Sequence, residues 1–287
     1  MDTIFNNRIH KLRRERAFKN WNNFSYLKKI STERIYERLY EVKRDFDLGL
    51  ELGSHYGELG NLLSRKNKIN TLFQTDFIYN YCKKSKNNNF NSLLIDFNKL
   101  PFKKNKFNII VSTFFIHWID DIPNLLKNLK NIMQPDSLLI MNFLGGKTLS
   151  ELQKQLIDLE IKFYGGASPR IMPFIDIRSA GMLIQNAGFR MPVIDSENIN
   201  ITHSNLLDLF HDLRGMGQTN CMSSVSIPLR KKITTLLEKK LTNKNKINTT
   251  FELIPFLSLL LKINDVYILR VFFLGKSIKN NNLFLLC

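Results

Sequence analysis

From Phe46 onward, short apolar runs alternate with segments whose apolar residues recur every three or four positions. That switch from period 2 to period 3.6 predicts a parallel β-sheet wound with crossover helices. The predicted strands are Asp47–Leu52, Ile69–Thr75, Leu93–Asp96, Asn108–Thr113 and Leu138–Phe143. Between the last two, Ile122, Leu125, Leu126, Leu129, Ile132 and Met133 repeat at helical spacing, and Pro135-Asp136 closes that helix. The fold class expected is α/β, a doubly wound and mostly parallel sheet with N-terminal helices and a helical insert.

The insert begins after Gly145-Gly146 with Leu149, Leu152, Leu156 and Leu159 at helical spacing. A glycine- and proline-rich loop, Tyr164–Phe174, follows, and residues 175 to about 240 read as mostly helical. Arg178–Phe189 reads as a helix ended by Gly188, and Asn205–Gly217 as one ended at Gly215. The sheet resumes at Thr250–Ile254 and again at Val266–Leu274. The pattern divides the chain into an N-terminal helical segment (1–45), a ligand-binding core (46–145), a helical cap over the acceptor (146–245) and final strands with a tail (246–287).

Composition adjusts this picture only modestly. With 287 residues and 44% hydrophobic content the chain has ample material for a core. A formal charge of +17 would attract nucleic acid or anionic surfaces. The lysines, however, lie in asparagine-rich loop tracts such as Lys83–Asn91 and Thr242–Asn248, without aromatic interleaving, so nucleic acid is not the expected partner. Cys82, Cys221 and Cys287 are too sparse for a metal or redox motif, and no structural disulfide is expected. The start lacks the apolar core of a secretory signal, and basic Arg8–Trp21 predicts an amphipathic surface helix, with a mitochondrial transit segment left open. The apolar region Leu253–Leu274 is interrupted by Pro255, Lys262, Asn264, Asp265 and Arg270, so no transmembrane segment is expected.

Candidate chemistry gathers where strands give way to loops. In "LELGSHYGELG" (Leu50–Gly60), Gly53 and Gly57 allow close backbone approach at a strand-to-helix turn, with His55 between them. Asp76 ends the second strand, where a carboxylate accepts ribose hydroxyls, although it could equally cap a helix. Asp96 and Phe97 end the third strand and could receive an adenine amino group and its flat face. Thr113 ends the fourth, and His117 with Trp118 follows in "STFFIHWIDD"; that pair reads either as a packed cap or as an acceptor contact. No His-x-Asp/Glu pair with a distant His announces an iron site.

The run from Leu50 to Gly146 resembles class I S-adenosylmethionine-dependent methyltransferases of type 11, the group that includes the malonyl-carrier-protein methyltransferase of biotin synthesis. Outside that core, "IFNNRIHKLRRERAF", "FLGGKTLSELQ", "GGASPRIMPF", "AGFRMPVID", "DLRGMGQTN" and "TFELI" resemble the complex I assembly factor 5 family and its alphaproteobacterial relatives. The resemblance covers about residues 4 to 254. It departs at His55, which stands where the family carries a middle glycine, and after Ile254.

The resemblance implies a Rossmann-like methyltransferase fold and S-adenosylmethionine as cofactor. It sets Glu51 and Gly53 by the methionine and ribose end, Asp76 by the ribose, and Asp96 with Phe97 by the adenine; His55, Gly57 and Thr113 complete the expected cofactor set. His117, Trp118, Asp212, Arg214 and Asn220 are the acceptor-binding candidates, Arg214 first because a guanidinium clamps a carboxylate or carbonyl. No catalytic residue and no metal ligand is assigned, since methyl transfer needs alignment more than a base. The acceptor implied is a protein or an acyl carrier, with a complex I subunit the case suggested by the assembly-factor likeness, where arginine hydroxylation is the associated chemistry. A malonyl-carrier methyl ester and a non-catalytic assembly factor are the competing readings, and an RNA acceptor rests on charge alone. The setting implied is cytoplasmic in a bacterium, or the mitochondrial matrix or inner-membrane face in a eukaryote.

Overall fold

The computed structural model describes residues 3–63, 68–87, 90–224, 228–260 and the backbone of 284–285. Three helices come first: α1 (Asn7–Phe18), α2 (Trp21–Phe24) and α3 (Tyr26–Glu41). Alternation follows through β1 (Phe46–Leu52), α4 (Glu58–Leu63), β2 (Ile69–Asp76), α5 (Tyr79–Asn87), β3 (Asn91–Leu94), β4 (Phe107–Thr113), α6 (Ile122–Ile132) and β5 (Met133–Leu144). Next come α7 (Ser150–Tyr164), α8 (Ile177–Asn186), β6 (Arg190–Ile194), β7 (Glu197–His203) and α9 (Leu206–Gly215). The chain continues with α10 (Lys231–Leu241), β8 (Thr242–Asn243), β9 (Lys246–Leu260) and β10 (Phe284–Leu285).

Contacts group the chain into two units. The sheet unit takes Tyr26–Phe143, Ile177–Ser196 and the chain from Ile254 onward; the second unit takes the chain through Ser25, Leu144–Asp176 and Glu197–Leu253.

In the sheet unit the strand order is β10-β6-β9-β5-β4-β1-β2-β3. From β3 to β5 every pairing is parallel, and β6 pairs with β9 antiparallel. Strand β4 lies in the middle and is buried at all but one position, which explains why "FNIIVST" reads as an almost continuous apolar run rather than an alternation. Below the sheet, Ile35 and Leu39 of α3 and Leu59 and Leu63 of α4 join Phe46, Ile69, Ile109, Val111, Leu138 and Ile140 in one core. Asp121 caps α6 by accepting the Asn124 N–H at 2.9 Å, and Leu125, Leu126, Leu129 and Ile132 turn inward as their spacing predicts. Met133, expected on the same stripe, is instead the first residue of β5, because the helix closes at Ile132.

The second unit is built from α1, α2, α7, α9 and α10 with β7, β8 and the first half of β9. Two details differ from the sequence reading. The stretch expected to be mostly helical contains β6 and β7, and β7 pairs antiparallel with β9 from Glu197↔Leu253 to His203↔Ile247. Its cause is the period-2 alternation of Ile199 and Ile201 with Asn198 and Asn200, a strand pattern rather than a helical one. The basic segment Arg8–Trp21, expected as a surface helix, ends its helix at Phe18 and buries His10, Arg14 and Ala17. The Arg14 guanidinium sits 5.5 Å from the centre of the Trp21 ring, a cation–π contact that offsets the burial of its charge. The strand expected at Val266–Leu274 lies outside the described residues.

Candidate functional site

Register sets the site. Glu51 stands beside Gln74 on one side and Val111 on the other, and Leu52 beside Thr75 and Ser112. The C-terminal ends of β1, β2 and β4 therefore finish at one edge, and there the chain leaves β1 for its turn.

That turn is held in an unusual backbone. Gly53, His55 and Gly57 all lie in the left-handed region, at φ +70°, +53° and +82°. The N–H groups of Gly53 and Ser54 both donate to the Thr75 carbonyl, at 2.9 and 3.0 Å, and the His55 N–H donates to Asp76 Oδ2 at 3.2 Å. Asp76 Oδ1 accepts the Ile78 N–H at 3.0 Å, so the β2 carboxylate is oriented by backbone from two loops. His55 Nδ1 lies 2.7 Å from the Gly53 carbonyl, which can only accept, so Nδ1 carries the proton. His55 is buried against Tyr81, with ring centroids 5.4 Å apart; its imidazole folds back onto its own turn and does not point to solvent.

Glu51 is fully buried. Its Oε2 accepts Gln74 Nε2 at 2.7 Å, while Oε1 is enclosed with no hydrogen-bond partner among the described residues. Burial pushes its carboxyl up to about 7, against the opposing pull of Lys28 and of the Gln74 hydrogen bond. Gln74 in turn accepts from Ser85, and the missing side chains of Gly57 and Gly60 leave room for its amide. The two glycines thus admit Gln74, while Gly53 admits the Phe115 ring, which an added Cβ would overlap.

Lys28, on α3, is fully buried and donates to the carbonyls of Gly53 at 2.9 Å and Thr113 at 2.8 Å, and to the Thr113 hydroxyl. A cation thus ties the end of β1 to the end of β4. Next to it, Asn142 of β5 donates to the Ser31 carbonyl at 2.5 Å and accepts from the Ser31 hydroxyl. Neither Lys28 nor Asn142, Gln74 or Phe115 was among the residues singled out from sequence. The signal was present for Lys28: it begins the spacing 28, 31, 32, 35, 39, whose later members Ile35 and Leu39 are core, so a polar start to a buried stripe marks the site.

The remaining candidates separate. Phe97 is buried with its ring 4.4 Å from Phe115 and 6.4 Å from Phe77, whereas Asp96 is exposed and accepts the Asn98 N–H at 2.9 Å. His117 and Trp118 form a short 3-10 turn after Phe114, whose φ is +57°; the three rings pack at 5.4 and 5.7 Å. Asp212, Arg214 and Asn220 belong to the second unit. Asp212 pairs with His203 at 3.0 Å, and the Asn220 amide donates to the Pro169 carbonyl at 2.9 Å while its oxygen accepts the Met222 N–H at 2.8 Å. Among the described residues no group of three or more His, Cys, Asp or Glu side chains could hold a metal ion.

A parallel sheet in the order β3-β2-β1-β4-β5, the antiparallel pairing of β9 with β6, and an acid-bearing glycine turn after β1 define a class I methyltransferase fold. The family model for the methyltransferase domain matches residues 50–141. Human mitochondrial arginine-hydroxylase NDUFAF5 is 36% identical over 216 residues, covering 72% of this chain and 62% of its own length. The Rickettsia prowazekii protein RP459 is 32% identical over 210 residues, covering 73% of this chain and 89% of its own length. The chain belongs to the methyltransferase family of RP459, which is itself described as a putative methyltransferase, and it is similar to NDUFAF5. It spans less than two thirds of the length of the NDUFAF5 relatives. The solved structure of BH2331 from Bacillus halodurans C-125 has a TM-score of 0.59 at 9% identity, covering 80% of this chain and 99% of that one, a likeness of fold alone.

Proposed function

We propose that the chain binds S-adenosylmethionine at the β1–β2 edge and acts on a protein acceptor, an arginine side chain being the acceptor that the NDUFAF5 likeness favours. The observation that carries the cofactor reading is Glu51: a fully buried carboxyl whose Oε1 has no hydrogen-bond partner among the described residues, one strand from the buried carboxylate of Asp76. A buried acceptor left unmade costs about 1–3 kcal/mol, and a ligand that brings a donor or a cation recovers it. S-adenosylmethionine brings an ammonium, a sulfonium and a ribose diol, and when bound it supplies an electrophilic methyl group. The residues present fit that demand: Glu51 for the cationic end, Asp76 for hydroxyls, and Phe97 with Asp96 for a flat, amino-bearing ring.

Lys28 and His55 would act indirectly, by fixing the Gly53 carbonyl and the left-handed turn from two sides. His117 and Trp118 are the proposed acceptor contacts of the sheet unit, and in the second unit Asp212 and Asn220 are held by the bonds they already make. In a eukaryotic cell this reading assigns the protein to respiratory complex I assembly in the mitochondrion, and in a bacterium to the cytoplasm.

Calorimetric titration with S-adenosylmethionine and S-adenosylhomocysteine tests the cofactor reading. Binding by the wild type, weakened at least about tenfold by E51Q and by D76A, is the expected result; one such lost interaction is worth about 1.4 kcal/mol or more. A wild type that takes up neither compound would overturn the reading. Loss of complex I in a deletion strain, restored by the wild type and not by D76A, tests the acceptor assignment.

A further inference from the structure

The second unit contains a cavity of about 440 Å³ lined by Arg13, Arg16, Phe210, His211, Arg214 and Thr219. Three of its six lining side chains are guanidinium groups and none is an acid. Helices α1 and α9, which supply most of that wall, pack against each other. Arg13 and Arg16 are three residues apart on α1, and Phe210 and Arg214 four apart on α9, so each helix turns one face of cations and rings to the same space.

The walls are fixed by close backbone approach. An added Cβ on Gly215 would overlap the Phe24 ring, and Gly217, at φ +69°, lies against Ala17 and Arg14, where an added Cβ would meet Ala17 at 3.2 Å. The Phe24 ring also meets His211 edge-on, with centroids 5.0 Å apart. The cations are thus held near one another by packing that does not depend on any charge between them. Like charges gathered this way repel: the Arg16 guanidinium is pushed below its usual range by burial first, then by Arg214 and Arg13.

Asp212, which lies between His211 and Arg214 on α9, is already engaged, pairing with His203 at 3.0 Å. The enclosed Arg13 Nη1 and Thr219 Oγ1 have no hydrogen-bond partner among the described residues. Among the described residues no acid lines this space, so its cations and donors form a binding arrangement in want of a ligand.

We infer that this cavity is a site for a compact dianionic oxyanion, a phosphate monoester or a dicarboxylate, chelated by Arg13, Arg16 and Arg214. The planar fork of a guanidinium matches two oxygens of such a group, and the Thr219 hydroxyl supplies a neutral donor. Two negative charges balance three guanidinium groups better than one does, and the Phe210 ring closes one side with apolar surface. The site is separate from the cofactor reading, because none of its residues belongs to the β1–β2 edge.

The test uses the full chain at constant ionic strength, titrated by calorimetry with inorganic phosphate, with succinate, and with chloride as the control. The expected result is saturable binding of at least one of the two dianions and none of chloride, phosphate alone marking a phosphoryl ligand and succinate alone a carboxylate one. R16Q and R214Q, exposed positions on different helices, should each weaken that binding at least about tenfold, which corresponds to about 1.4 kcal/mol. R214K, which keeps the charge and loses the fork, should recover only part of it. E51Q should bind the dianion as the wild type does, whatever it does to S-adenosylmethionine. Absence of saturable binding to either dianion, or equal binding by the wild type, R16Q and R214Q, would overturn the site.

Discussion

His55 Nδ1 lies 2.7 Å from the carbonyl oxygen of Gly53, two residues earlier in the same turn. The contact explains how a side chain occupies a position whose φ of +53° suits glycine: the imidazole bonds to the turn that strains its backbone. Holding a non-glycine residue there costs about 1 kcal/mol, comparable to the hydrogen bond recovered. H55A keeps the strained backbone and loses both the bond and the packing on Tyr81, whereas H55G loses the same contacts and releases the strain. H55G should therefore unfold at higher denaturant than H55A, by about 1 kcal/mol, with both below the wild type. Equal midpoints for the two variants would show that the left-handed backbone carries no cost here.

Glu51 gives the sheet unit a pH signature. Its carboxyl is raised from 4.5 to about 7 by burial, so the folded state holds a proton that the unfolded chain has already released. The sign follows: this group's contribution to stability is complete below about pH 4.5 and is lost as pH rises through about 7. E51Q, neutral throughout, should match the wild type near pH 4.5 and exceed it above pH 7 by an amount on the order of 3 kcal/mol. Urea unfolding at pH 5 and pH 8.5 reads the difference; a gap that does not widen with pH would rule out a burial-raised carboxyl.

Two glycines separate space from backbone strain. An alanine at Gly215 would overlap the Phe24 ring, whereas Gly165, at φ +74°, has nothing within 4 Å of an added Cβ. G215A should cost about 1–3 kcal/mol through overpacking, and G165A about 1 kcal/mol through backbone alone. Thermal unfolding of both distinguishes them. The larger loss belongs to G215A, and it should be rescued in part by F24A, which empties the overlapped space; absence of rescue would remove the steric explanation.

Much of the fold was legible because its strands are either buried on both faces or flanked by clear helical stripes. β1, β2, β4 and β5 follow from that contrast, and so does the edge at which Glu51, Gly53 and Asp76 meet. The insert was less legible, since the Ile199–Ile201 alternation is short and lies among asparagines that also suit loops. The burial of Lys28 could be read from the spacing along α3, but its bonds and those of Asn142 could not: their partners lie 25 to 111 residues away, and no local spacing encodes such pairs. The bond of Asn220 to Pro169, 51 residues away, was invisible on the same grounds.

Lys28 tests whether the polar end of α3 is structural or merely local decoration. Its ammonium answers two carbonyls and one hydroxyl at the ends of β1 and β4, and its charge also draws the Glu51 carboxyl downward against burial. K28M has similar length and removes all of these at once, leaving the Gly53 carbonyl with its His55 bond alone and the Thr113 carbonyl without its ammonium donor, at about 1–3 kcal/mol for each lost bond. A loss of about 3 kcal/mol or more is expected at neutral pH. Because Lys28 opposes burial at Glu51, its removal should raise the Glu51 carboxyl further, and the pH-dependent loss of stability should persist to more alkaline pH than in the wild type. In K28M/E51Q that pH-dependent part should vanish while the loss from the removed ammonium bonds remains. Unfolding curves across pH 5 to 9 for the wild type, the two single variants and the double variant separate the contributions, and identical pH profiles for the wild type and K28M would show that the two groups are not coupled.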